Sequence, residues 1–310
     1  MDTLSHTLFG LSLTALRRPG TGPDEAVTVR AVRWTSVLGA NLPDIDVVLL
    51  PGNPVNQIVY HRGITHSVPA AVVFAGLLTV FARWRWPRAR SRTVFGWSLV
   101  SVLVGHLFAD LITSFGTRIL LPWDNTFYAL DWIALTEPLI VLPLLLGALV
   151  AWRRPAAARR WLGAGLAAAM LFIGYRGVTH EVLLRRVVRT YAASGPVLSA
   201  SMQPAYWRLT RYEYVVETPE AFRLGAVHPF GTPSEYAVYY KPLRSDPVVR
   251  AAESDPALGP ILRFARHPLL TYTPGPDGYL VNITDFRGGF AFRFRLHLVP
   301  PAVAATAPGG

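Results

Sequence analysis

The stretch Val94-Phe95-Gly96-Trp97-Ser98-Leu99-Val100-Ser101-Val102-Leu103-Val104-Gly105-His106-Leu107-Phe108-Ala109-Asp110 holds no charged residue until its last position. A straight helix needs about 20 mostly apolar residues to cross a bilayer core, and the apolar run 94–115 containing this stretch is long enough. Its polar end carries His106 and Asp110, four residues apart and so on one helical face. An ionisable side chain in an apolar span is costly enough to need a partner or a task. Two readings fit the pair: a buried histidine bonded to an aspartate one turn away, or two ligands to one ion.

Further apolar segments lie at roughly 4–16, 34–50, 67–82, 133–152 and 161–178, the last rich in Gly and Ala. The first two are short for a span and are expected to be half-spanning or buried in a bundle. Trp84, Trp86, Trp97, Trp152 and Trp161 sit near segment ends, where amphipathic rings favour the interface. Arg17, Arg18, Arg30 and Arg33, then Arg83 to Arg92, then Arg153 to Arg160 fall in connections that an up-and-down trace puts on one side, which the positive-inside rule makes cytoplasmic. The candidate ligands then gather at the outer ends. Arg176, Arg185, Arg186 and Arg189 depart from this pattern and are expected to belong to the next domain or to meet an anionic ligand.

The predicted fold class is therefore mainly α, a polytopic transmembrane helical bundle over 1–189 followed by a small β-rich extramembrane domain over 190–300. Period-two alternation marks the latter: Phe290, Phe292, Phe294, Leu296 and Leu298 would line one face of a strand. Segments 206–217, 236–240 and 279–285 read similarly, and residues 301–310 read as a disordered tail. Met1-Asp2-Thr3 opens without a basic region or cleavage site, so no removable secretion signal is expected. Following the last span, the β-rich domain is expected to face outward.

Composition agrees. The 310 residues are 51% hydrophobic and 16% charged, against about 25% charged in an ordinary soluble domain. The net charge of +11 follows from arginines placed by topology, so nucleic acid is not the expected partner; membrane lipid or another amphiphile is. Cysteine is absent, so any metal must be held by nitrogen and oxygen.

Four places supply such donors: Asp2 to His6, Asn41-Leu42-Pro43-Asp44-Ile45-Asp46, His61-Arg62-Gly63-Ile64-Thr65-His66-Ser67, and His106 to Asp110. A divalent cation would satisfy neutral imidazoles and offset buried carboxylates together. Mixed imidazole and carboxylate donors suit zinc, taken first, or manganese or iron. Asp44 and Asp46 follow Pro43 and belong at a turn or helix start. Ser67 is a plausible cap with Pro69 in the first turn. Arg62 would hold a substrate anion or face headgroups at the surface. Glu137, before Pro138, could ligate, act as base or favour the helix dipole; Asp44, Asp46 and Glu137 are the candidate general bases. Asp131 and His180 are weaker candidates, and His228, His267 and His297 read as ordinary residues of the β-rich part.

Taken together, Met1-Asp2…His6, Pro43-Asp44…Asp46, His61-Arg62-Gly63…Thr65-His66-Ser67, His106…Asp110 and the acidic residue before Pro138 resemble a family of inner-membrane metal-dependent hydrolases, one branch of which is described as LexA-binding. The resemblance covers residues 1–150. It implies a hydrolase of the bacterial cytoplasmic membrane with His6, Asp44, His61, His66, His106 and Asp110 as metal ligands. Family members tend to carry Asp where this chain has Glu137. A more distant likeness, in ligand type, to zinc-dependent phospholipase C implies phosphoester hydrolysis. The competing functions are a metal or proton transporter and a non-catalytic, metal-stabilised scaffold. Beneath His106 the spans read as apolar, which predicts a one-sided pocket and disfavours a transport path.

Overall fold

The structure is a computed structural model and describes residues 1–18, 20–49, 57, 59–206, 208–276, 278–287 and 292–298. The chain divides into two compact units, Met1–Val178 and a second beginning at Thr179. The first unit is helical: α1 Thr3–Leu13, α2 Glu25–Gly39, a short α3 Ile45–Leu49, α4 Val68–Arg85, α5 Ser91–Leu111, α6 Pro138–Arg153 and the start of α7, Ala158–Ala192. By length and composition α4, α5 and the segment Pro155–Ala192 can each cross a membrane, and α6 is a shorter apolar helix.

At 1.5 Å per residue, the 11 residues of α1 reach only about half of a bilayer core of about 30 Å. Leu8, Phe9 and Leu13 accordingly pack against Ile140 and Leu144 of α6 and Leu166 and Ile173 of α7, so α1 is buried in the bundle. The run 34–50 does not form one helix. It breaks after Gly39 into a 3₁₀ turn, Leu42–Asp44, and then α3. Conversely α2 begins at Glu25, which places Arg30 and Arg33 on a helix and not in a connection. Thr28, Ala31, Val32, Thr35, Ser36 and Gly39 are its buried stripe, small residues that let helices approach closely. Within α5, residues Ser101–Phe108 adopt π-helical winding, a feature concentrated at functional sites. Ser67 caps α4 by accepting from the Ala70 amide, as its sequence position predicts.

In the second unit the end of α7 contributes Leu183 and Val187 to a core with Met202, Tyr212, Tyr214, Val216 and Val227. Strands β1 Ser199–Pro204, β2 Tyr212–Glu217, β3 Ala221–Val227 and β4 Ser234–Tyr240 form an antiparallel sheet in sequential order; β5 Pro268–Gly275, β6 Gly278–Asp285 and β7 Phe292–Leu298 form another. Helices α8 Pro247–Ser254 and α9 Gly259–Phe264 lie between the sheets in sequence. Three expected strands match β4, β6 and β7, and the expected 206–217 shortens to β2. The strand faces assigned to Phe290, Phe292, Phe294, Leu296 and Leu298, the His297 side chain and the tail 301–310 lie outside the described residues.

Helices α6 and α7 meet through paired glycines. A Cβ on Gly165 would lie 2.5 Å from the Pro143 carbonyl oxygen, and one on Gly147 would lie 2.6 Å from that of Trp161. Backbone cannot yield as a side chain can, so Gly165→Ala is expected to cost about 1–3 kcal/mol through overpacking. Gly76→Ala, where nothing lies within 4 Å, should leave thermal unfolding in detergent unchanged.

Candidate metal centre

Each donor is placed by a local device. Asp2 caps α1, accepting from the Ser5 amide at 3.0 Å and the Ser5 hydroxyl at 2.6 Å, and so fixes His6 in the first turn. His6 Nδ1 meets the Gly105 carbonyl at 3.0 Å, and His106 Nδ1 meets that of Ala40 at 2.7 Å. A carbonyl only accepts, so these partners assign the proton to Nδ1 in both rings and leave a lone pair on each Nε2. His66 Nδ1 lies 3.3 Å from Asp46 Oδ2, which orients that ring in the same sense. Such partners on the far ring nitrogen are what hold metal-binding histidines in place.

The near atoms converge. His66 Nε2 is 3.0 Å from His106 Nε2 and 3.3 Å from Asp44 Oδ1; both imidazole nitrogens are 3.5 Å from Asp110 Oδ2, and His106 Nε2 is 3.5 Å from Asp44 Oδ1. A tetrahedron with bonds of about 2.0–2.1 Å has edges of about 3.3 Å, close to these separations. Two lone pairs facing each other at 3.0 Å repel unless a cation or a proton lies between them. His6 Nε2 stands 3.5 Å from Asp110 Oδ1, and both it and Asp110 Oδ2 are buried without a hydrogen-bond partner. The donor set therefore fits a divalent cation held by Asp44, His66, His106 and Asp110, with His6 beside it. Asp46, His61 and His66 form a second, overlapping group of donors.

Burial disfavours a charged His66, yet hydrogen bonding to Asp110, Asp44 and Asp46 outweighs it and raises the imidazole to about 9. A metal ion bound by His66 would compete with that proton, which makes its affinity pH-dependent. Burial pushes Asp46 upward, but hydrogen bonds to His61 and His66 hold its carboxyl well below the usual range; Asp44 is lowered in the same way by His66 and His106.

Asp46 is a hub of orientation. Its Oδ1 accepts from His61 Nδ1 at 2.9 Å, and its Oδ2 accepts from the Arg62 amide at 3.1 Å and Thr65 Oγ1 at 2.8 Å. Arg62 takes a positive φ of 62°, a conformation that costs a non-glycine residue about 1–3 kcal/mol and persists where surroundings over-determine it. Its guanidinium reaches Asp110 Oδ1 at 2.8 Å and Thr113 Oγ1 at 3.1 Å and is 2% exposed. The surface reading of Arg62 is thereby overturned, because its charge is committed to a buried carboxylate. The Met1 amino group also pairs with Asp110 Oδ1, so one oxygen of Asp110 is saturated by cations and the other is free.

A model of the YdjM inner membrane protein family matches residues 1–183. The chain belongs to that family. The YdjM family is the membrane metal-dependent hydrolase family that the sequence motifs resembled, and its match takes in every donor of the centre. The chain is also similar to the uncharacterized protein YfhP of Bacillus subtilis (strain 168), 26% identical over 300 residues that cover 93% of this chain and 86% of that protein. No solved structure matches.

Other expected residues lie elsewhere. Glu137 is in neither donor group; its carboxylate pairs with Arg176 at 3.3 Å, both buried, and burial raises it against the pull of that arginine. Arg176 thus departs from the basic pattern because it neutralises a buried acid. His180 Nε2 meets the Met202 carbonyl in the second unit. Asp131 is buried at a positive φ of 58° outside both groups. Thr65 and Thr113 were not anticipated, and only Thr65, inside the histidine motif, carried a signal. Metal content of the detergent-purified chain is expected to be stoichiometric in the wild type and in Glu137→Gln, and lost in His66→Ala and His106→Ala. Mass spectrometry of the metal reads this directly.

Proposed function

We propose that the protein is a membrane-embedded metal-dependent hydrolase that cleaves an ester or phosphoester of an amphiphile at the outer membrane face. One observation carries this reading: the donor cluster is closed on its inner side and open at a mouth. His6, His66, His106 and Asp110 have no exposed side-chain surface, whereas the side chains of Asp44 and His61 are 25% and 20% exposed. A catalytic site keeps an open position where a structural site is closed. The donors cluster at the α4 N-terminus and the α5 C-terminus, opposite the arginine-bearing connection 86–90 between those helices, and the positive-inside rule then turns the mouth outward.

A divalent cation, zinc first by donor type, would supply Lewis acidity and make a water molecule acidic at neutral pH. His61 is the residue placed to move the proton. Its Nδ1 is held by Asp46 and its Nε2 lies 4.0 Å from Asp44 Oδ1 at the mouth, so it can take a proton from the attacking water and return it to the departing oxygen. Asp46 and Arg62 act as positioning residues: one fixes two imidazoles, the other neutralises Asp110.

One observation favours conduction instead. Buried hydroxyls continue below the centre, with Ser101 and Ser98 on α5 and Ser36, Thr35 and Thr28 on α2. Their side chains carry no charge and include no His, Asp or Glu, and a metal path would need further ligands; this leaves hydrolysis as the better reading.

With metal bound, wild type is expected to hydrolyse members of a panel of aryl and lipid phosphoesters and carboxylic esters. His61→Asn should keep its metal and lose about 10²- to 10⁴-fold in turnover. Full turnover in that variant would remove His61 from the reaction, and a metal-loaded wild type inert on the whole panel would overturn the hydrolase.

A further inference from the structure

The arginine-rich end of the helical unit holds a feature that the metal centre does not use. A cavity of about 160 Å³ lies among Ala15, Val32, Arg33, Arg159 and Leu162, and an open hollow on the surface of α2, lined by Val29, Arg30, Arg33 and Trp34, adjoins it. No carboxylate lines either one. Arg17, at the edge, is neutralised by Glu25 through contacts of 2.6 and 3.0 Å. Arg159 spends its Nε on the Ala15 carbonyl at 3.0 Å and keeps its terminal nitrogens for other partners. Arg30 and Arg33 make no ion pair among the described residues. Several cations thus edge an interhelical recess walled by Ala15, Val32 and Leu162, which opens along one side of α2.

We infer that this recess binds the headgroup of an anionic phospholipid. The occupant follows from charge and from depth. Guanidinium groups match a phosphate diester in charge and hydrogen-bonding geometry. Arg30, Arg33, Trp34 and Leu38 follow helical spacing along one side of α2, with Trp34 57% and Leu38 40% exposed, so acyl chains leaving the recess meet apolar surface directed away from the bundle. Basic pockets between transmembrane helices on the cytoplasmic side bind anionic headgroups in this manner. A soluble anion would satisfy the arginines but leave Trp34 and Leu38 without a role.

The test uses the full chain, delipidated in a non-ionic detergent and titrated by native mass spectrometry with phosphatidylglycerol or phosphatidylcholine of identical chains, and with inorganic phosphate as competitor. Phosphatidylglycerol is expected to bind one tight equivalent. Arg33→Gln/Arg159→Gln should weaken it about 30-fold, from two lost arginine contacts. Arg244→Gln/Arg250→Gln, two exposed arginines of the second unit, is the control for net charge and should change nothing. Thermal unfolding of the wild type gives a reading independent of any variant: phosphatidylglycerol raises the midpoint and phosphatidylcholine does not. Equal binding of both lipids, undiminished binding by the Arg33/Arg159 variant, or displacement by millimolar phosphate would overturn the inference.

Discussion

The constraint on which the helical unit depends is the convergence of imidazole and carboxylate groups that need a cation or a proton between them. Three imidazole Nε2 atoms and two carboxylate oxygens face one another at the end of an apolar bundle, with His66 and His106 only 3.0 Å apart. Every neighbouring element is shaped to hold that unfavourable meeting. Backbone carbonyls of Gly105 and Ala40 turn two rings inward, and the four-residue spacing of His106 and Asp110 at the end of α5 sets both on one side. The 3₁₀ turn Leu42–Asp44 stops α2 where Asp44 can enter. With neither a cation nor a proton among them these groups repel.

Charge compensation explains the outer ring of residues. Asp110 is fully buried, yet its Oδ1 meets the Arg62 guanidinium and the Met1 amine, so the carboxylate is stabilised without using its second oxygen. Removing one partner from such a buried pair costs about 3–5 kcal/mol, because the remaining charge is uncompensated. Arg62 adopts its strained backbone for the same reason: a positive φ lets its amide serve Asp46 while its side chain reaches Asp110. Glu137 and Arg176 repeat the device between α6 and α7, away from the donors. These are two buried ion pairs with two purposes, one tying helices together and one supporting a site.

What could be read from sequence was the chemistry of the donors and their shared end of the bundle. His6, Asp44, His66, His106 and Asp110 are ionisable groups in apolar surroundings, and such groups declare themselves. Their division of labour was not legible. His61 and His66 belong to one short motif, but only the fold shows that Asp46 holds His61 at the mouth while His66 is buried. Carbonyl partners leave no sequence signal, since every residue has a carbonyl. The start of α2 was hidden because Arg30 and Arg33 look like a connection, while the stripe from Thr28 to Gly39 that buries it is made of small residues with little hydrophobicity. The π-helical stretch has no residue signature either. In the sheets, alternation found β4, β6, β7 and part of β2 but missed β1, β3 and β5; in β1 the buried Ser201 and Gln203 make an inward face look polar.

The two ends of the helical unit are chemically opposite, and that opposition bears on what the centre can do. Arginines collect at one end, and no acid lines the recess there. At the other, acids and imidazoles collect, with Asp44 and His61 exposed at the mouth. A substrate entering from the bilayer would present an apolar body to helices whose exposed faces are Val72, Val73 and Leu77 on α4 and a polar group to the mouth. A fully water-soluble substrate would gain nothing from those faces. A wholly apolar one would bring no oxygen for a cation to polarise or for His61 to protonate as it leaves. On the proposed function the demands of the chemistry and of the solvent meet in an amphiphile, which suits a site at the ends of its helices and not at their middle.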